Sequence, residues 1–195
     1  MQERSSGTDR GEHSPSGFEA LSPRDRASYR PDPPSQPPSR GPGIRGGALA
    51  GVAAGLVAGV CLMIASALRG QALWIPPKLA SAPFFGERAL HPDFDIVPLL
   101  VGLMTHFAVC AAWGALFGAV FYGATRGATV ALGALWGLVV WLAMHYGVLP
   151  LIGVANLLAI VPVGVSLIGH VMFGITLGIA FLPFQRVRRP LDWTL

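Results

Sequence analysis

Apolar residues run along this chain in long unbroken blocks, with little alternation between apolar and polar positions. From Gly46 to Leu68 there is no Asp, Glu, Lys or Arg. An uncharged run of that length spans a bilayer as one helix. A second such run extends from Ile96 to Thr125 and predicts a helix over 96–122. After Arg126 those four residue types are again missing from Gly127 to Gln185, 59 positions in all. That is too long for one span and fits two. Pro150, Gly153, Asn156 and Pro162 mark the break, which predicts helices over 128–149 and 163–182. The apolar connection at 150–162 reads as a re-entrant or interfacial turn, a form tolerated only where protein shields its backbone. The pattern as a whole predicts an all-α protein, an integral membrane bundle of four transmembrane helices occupying residues 46–185.

Three polar stretches flank these blocks. Residues 1–43 hold 8 of the 17 prolines, with Arg4, Arg10, Arg24, Arg26, Arg30 and Arg40 nearly balanced by six acids. Such a segment cannot bury enough apolar surface to offset its ordering entropy, so a disordered N-terminal tail is expected. Pro31, Pro34 and Pro37 give PxxP spacings, read either as a polyproline ligand or, more plainly, as a solvated tail. Residues 69–95 form a loop with Trp74, Pro76, Pro77 and both signs of charge, features that suit the membrane interface. It serves as a recognition surface or as a clasp between the first two spans. A basic tail at 186–195 closes the chain with Arg186, Arg188 and Arg189. Ala65-Ser66-Ala67 has the form of a signal-peptidase site, but the preceding apolar run is too long and starts too late for a signal peptide, so an uncleaved span is expected.

Composition sharpens this picture in two places. Only 12% of residues are charged against 52% hydrophobic, about half the charged share of a soluble chain. The formal net charge of +4 sits at span ends and points to orientation, with no nucleic-acid partner expected. Arginines of the tail, Arg126, Arg186, Arg188 and Arg189 fall on one side; Arg69, Lys78 and Arg88 fall on the other, diluted by Glu87, Asp93 and Asp95. The positive-inside rule then places both termini in the cytoplasm. Cys61 and Cys110 both lie in apolar segments and read as small packing residues, uninformative about redox compartment.

Glycine recurs at every fourth position of the first span, at Gly43, Gly47, Gly51, Gly55 and Gly59. Residues four apart share a helix face, so these glycines predict a groove in which a second backbone can lie close. Gly114 and Gly118 continue Gly102, His106 and Cys110 on the second span. Gly133 and Gly137 precede Trp141 and His145 on the third. Gly174 and Gly178 follow Ser166 and His170 on the fourth. The stripes serve packing within one chain or between two copies.

The spans contain no carboxylate, lysine or arginine, which argues against a charged relay and against a Ser-His-Asp set. What remains is His106, His145 and His170, one on each of the last three spans. Each takes a place in its helix's small-residue stripe, so all three are expected to face the bundle, within about 10 Å of one another along the membrane normal. Met104, Met144 and Met172 lie beside them. Imidazole with thioether suits copper, and His or His/Met pairs ligate haem. Against this, no HxxxH pair and no CxxCH is present, and histidines bonding across helices with methionines filling gaps account for the same residues. Trp113, Trp136 and Trp141 read as packing or interface residues.

Gly51-Val52-Ala53-Ala54-Gly55, Leu73-Trp74-Ile75-Pro76 and Gly169-His170-Val171-Met172-Phe173-Gly174 occur in an order that resembles a group of small four-helix bacterial inner-membrane proteins of unknown function, over residues 46–183. The resemblance implies a bacterial cytoplasmic membrane location and supplies no activity. The expected function is that of a non-enzymatic interaction or accessory protein in the lipid bilayer, with a membrane-protein partner or a second copy engaged through the outer loop. An oligomeric transporter or channel for a neutral solute or protons is the first alternative, and a haem- or metal-binding protein using the three histidines is the second.

Overall fold

The computed structural model describes residues 40–154 and 161–185. Its elements are α1 (Gly41–Leu68), three short turns of helix α2 (Ile75–Leu79), α3 (Ala82–Phe85) and α4 (Glu87–Leu90), then α5 (Ile96–Phe121) and α6 (Arg126–Leu142). A π-helical segment, Ala143–Val148, and α7 (Leu149–Leu151) continue α6. Helix α8 (Val163–Phe181) ends in a 3₁₀ turn, Leu182–Phe184. Four helices are long and apolar enough to cross a membrane, with α6 through α7 counting as one span. The protein is therefore an all-α multi-pass membrane protein, and its environment is the lipid bilayer.

Several boundaries differ from the sequence expectation. Helix α1 starts at Gly41, so residues 41–43 belong to the span and not to the tail; residues 1–39 lie outside the described residues. Pro42 sits in the first turn of α1, where its fixed φ and missing N–H suit a helix start. Gly43 and Gly46 then fall in contact with Tyr122 and Phe184, which rewards the five extra residues, about one and a half turns, beyond the start that charge counting gives. The third span does not end at 149. Pro150 has no N–H for the Tyr146 carbonyl, and the chain passes through a π-wound stretch and stays helical to Leu151. Of the proposed re-entrant turn at 150–162, residues 155–160 lie outside the described residues, as does the basic tail from 186.

The four long helices form an up-down-up-down ring in which each packs on its chain neighbours, and α8 closes the ring on α1. Two of these contacts are backbone against backbone. A Cβ added at Gly47 or Gly51 would run into the main chain at Gly114 or Cys110, and one added at Gly118 would meet Gly43 and Gly47. The pairing falls in sequence number on one helix as it rises on the other, so the seam is antiparallel. The second seam follows the same rule, with Gly133 and Gly137 against Gly174, Gly178 and the His170 carbonyl. Ala50 and Ala54 of α1, almost fully buried, share one core with Phe173, Leu177 and Phe181 of α8. Helices α5 and α6 meet differently. Trp136 lies edge-on to Trp113 and Phe121, 5.9 and 5.8 Å between ring centres, and its indole Nε1 donates to the Trp113 carbonyl at 3.3 Å. Bulky rings hold these two helices together and also hold their backbones apart.

The end of the bundle opposite the α2–α4 turns is tied by Gln185. Its Nε2 donates to the Phe121 carbonyl and to Thr129 Oγ1, and its Oε1 accepts from the N–H of Gly123. Gly123 has a φ of +98°, open to glycine alone at little cost. One amide thus joins the end of α5, the start of α6 and the end of α8.

The seams make opposite predictions for two glycines. Gly114→Ala places a methyl against the Gly47 carbonyl and the Gly51 backbone, and should cost about 1–3 kcal/mol. Gly169→Ala meets nothing within 4 Å, and should be neutral or gain up to about 1 kcal/mol of helix propensity. Thermal unfolding in mild detergent separates them; equal effects would mean that the seam does not set the helix spacing.

Candidate functional site

Where the aromatic wedge between α5 and α6 ends, the ring leaves a half-open cavity of about 260 Å³. Its wall carries Ala58 and Gly59 from α1, His106, Cys110 and Trp113 from α5, Met144 and His145 from the π segment, and Ser166, Gly169, His170 and Phe173 from α8. The structure thus brings all three sequence-predicted histidines, each from a different span, to one cavity. Among the described residues no lysine, arginine or carboxylate lies on that wall.

Each imidazole is held differently. His106 reaches across to α1, where its Nε2 donates to the Gly55 carbonyl at 3.0 Å; Cys110 Sγ stands 3.7 Å from the same nitrogen. A carbonyl only accepts, so this bond fixes the proton on Nε2 and leaves Nδ1 as the lone pair. His170 has the other tautomer, for its Nδ1 donates back to the Ser166 carbonyl at 2.8 Å. His145 stacks on Trp141 at 5.1 Å and meets Tyr146 edge-on, and neither of its ring nitrogens has a hydrogen bond among the described residues. Trp141 Nε1 is likewise buried without a partner among them. The π-winding widens the turn at His145, a local change often found at functional sites. The four-residue spacing had already put His145 on the inner face; the π segment itself was missed, although Pro150 was the visible cue.

The remaining predicted residues divide. Gly47, Gly51, Gly55, Gly114, Gly118, Gly133, Gly137, Gly174 and Gly178 lie at close interhelical contacts. Gly59 does not: the nearest atom to an added Cβ is His106 Nε2 at 3.5 Å, so Gly59 belongs to the cavity wall and not to the seam. Gly102 packs against the Pro77 carbonyl of the outer loop. Of the methionines, only Met144 lines the cavity, while Met104 is 73% exposed and Met172 37%. They stand two positions from their histidines, which turns them to the opposite helix face. Among the described residues no three His, Cys, Asp or Glu side chains stand close enough to share a metal ion.

The loop over residues 69–95 is a folded cap. Pro76, Leu79 and Ala80 lie on the cavity wall, and Lys78 beside them is fully buried. Its Nζ donates to the carbonyls of His91 and Asp93 at 2.7 and 2.6 Å. Sequence reasoning took Lys78 for a surface charge; nothing local marks it as buried, because its partners are carbonyls 13 and 15 residues away. The indole Nε1 of Trp74 donates to the Pro92 carbonyl. Arg88 pairs with Asp95 at 2.7 Å, and Asp95 also caps α5 by accepting from Val97 N–H. The hydrogen bond from Arg88 holds the Asp95 carboxyl below its ordinary value of 3.8; Val97 N–H and the Lys78 ammonium act in the same sense, against partial burial.

Comparison with protein-family models, curated proteins and solved structures returns no significant match for this chain.

The cap makes a pH prediction. A carboxyl depressed by folding stabilises the fold above its unfolded value and loses that contribution as pH falls through the folded value. Asp95→Asn should therefore melt below wild type at about pH 6, with the gap closing towards about pH 3. A gap that stays constant over that range would dissociate the ion pair from cap stability.

Proposed function

We propose that this protein resides in the bacterial cytoplasmic membrane with both termini inside, and holds a small neutral molecule in the outer half of its bundle without transforming it. The observation that carries this reading is the convergence of three histidines from three spans on one half-open cavity. A volume of about 260 Å³ is close to the lower bound for small-molecule sites, and such sites are mostly apolar with a few polar groups that fix orientation. A wall without formal charge favours an uncharged occupant, since an unpaired ion there would be costly. Among the described residues the imidazoles and the Cys110 thiol have no acid on that wall to orient them, which supports binding over acid–base chemistry.

The orientation rests on basic residues at the ends of the spans. Arg45 and Arg126 flank the predicted inner side; on the other, Lys78 is engaged by carbonyls and Arg88 by a carboxylate. A single cysteine placed at exposed Glu87, in a chain with Cys61 and Cys110 replaced by serine, should react with an impermeant maleimide on intact cells. Protection in cells with reaction only after lysis would reverse the topology. An interaction role is favoured by a separate feature, the exposed Phe84 and Phe94 on the cap, 66% and 58% accessible; a partner or second copy would be expected to cover them.

Filling the cavity tests the main reading. Gly169 lies on the wall with open space around it, so Gly169→Phe should fill the cavity without opening a seam. Bromobenzene, a heavy-atom quencher of about the right size, should quench tryptophan fluorescence of the detergent-solubilised wild type in a saturable manner through Trp113. In Gly169→Phe only the linear, micellar component should remain. Linear quenching of the wild type as well would remove the pocket as a binding site.

A further inference from the structure

Resting on the pocket reading above, the chemistry of the wall selects among neutral molecules. A neutral imidazole offers one N–H and one lone pair. The protein has already used the N–H of His106 on Gly55 and that of His170 on Ser166. Both rings therefore have only an acceptor left. His145 adds one acceptor and one donor, with no hydrogen bond among the described residues. Among the imidazoles the inventory left over is three lone pairs against one N–H, so the histidine side of the wall is acceptor-rich.

His170 is the best placed of the three. Its Nδ1, the ring nitrogen nearer the main chain, is pinned to its own helix at 2.8 Å. The distal Nε2 is thereby turned away from the α8 backbone, on a side chain that lines the cavity. In His106 the arrangement is reversed, with the distal nitrogen spent on α1. Around these acceptors stand flat rings: Trp113 and Phe173 on the wall and Trp141 stacked behind His145. Aromatic faces favour an aromatic guest.

We propose that the occupant is a phenol-class molecule, an aromatic ring bearing a hydroxyl, whose O–H donates to His170 Nε2. No bond is made or broken on binding; the hydroxyl exchanges a water partner for the imidazole lone pair. The donor requirement follows from wall chemistry. Burying an acceptor without a donor forfeits its hydration, so a ligand lacking O–H or N–H binds the same space more weakly.

The experiment extends the bromobenzene titration to a matched pair, 4-bromophenol and 4-bromoanisole, on the full chain in mild detergent, with affinities corrected for each compound's partition into protein-free micelles. The phenol should bind about tenfold tighter than its methyl ether, the scale of one hydrogen bond. His170→Leu should bring the ratio to about one while bromobenzene still saturates. If that variant fails to fold, the wild-type ratio alone decides. Saturable bromobenzene with equal phenol and anisole affinities would overturn the donor proposal and leave the pocket standing. Saturation by none of the three compounds would overturn both.

Discussion

The contact on which the remainder of this structure depends is main chain against main chain at the two glycine seams. Apolar side chains give membrane helices no hydrophobic reason to associate, because lipid is as apolar as they are; close packing and interhelical polar contacts must serve instead. Gly47, Gly51, Gly114 and Gly118 let α1 and α5 approach until carbonyls face Cα atoms, a geometry in which weak Cα–H···O contacts recur. Gly133, Gly137, Gly174 and Gly178 do the same for α6 and α8. Two tight antiparallel pairs cannot close a ring evenly when the remaining sides carry large residues. The α5–α6 side is filled by Trp113, Phe117, Phe121 and Trp136, and where those rings stop, the space stays open. The cavity is thus a product of the seams: the residues that pull two pairs together determine how far apart the other helices stand.

Both ends of the bundle are closed by polar groups whose partners are mainly backbone atoms. Gln185 joins α5, α6 and α8 at one end, and Lys78 gathers the chain from His91 to Asp93 at the other. A lysine with no accessible surface needs its protons satisfied, and two carbonyls at short distance take two of the three. The cap therefore keeps its fold where charge pairs alone are weak, at an exposed and screened surface. It also sets Pro76 and Leu79 over the cavity, so the roof of the site and the clasp of the loop are one element.

Much of the architecture was legible in the sequence because lipid imposes a simple rule. Runs without Asp, Glu, Lys or Arg gave four spans, and the spacing of Gly47, Gly51 and Gly55 marked a contact face. What was not legible followed from contacts between residues far apart in the chain. The start of α1 at Gly41 is rewarded by Tyr122 and Phe184, which no local pattern contains. Gly59 and Gly102 share the four-residue spacing, yet one faces a void and the other the cap, since periodicity names a face and never its partner. The burial of Lys78 was hidden for the same reason. His106, His145 and His170 could be assigned to inner faces, but their meeting at one cavity depended on the width left by the tryptophans.

The tautomers carry the final step from architecture to chemistry. A histidine on a packing stripe is expected to act as glue, and His106 does so through Gly55. Its bond spends the distal nitrogen across the seam, which is what a structural imidazole should do. His170 spends the near nitrogen on its own helix, a bond that joins no two helices. For packing alone that choice is wasteful, because the distal nitrogen is left without a partner among the described residues. His145, on a π-wound segment beside a proline, makes no hydrogen bond among them. Two of three histidines thus contribute little hydrogen bonding between helices and sit where the bundle is hollow. Glue explains one imidazole; a guest that donates a hydrogen bond explains a second, His170.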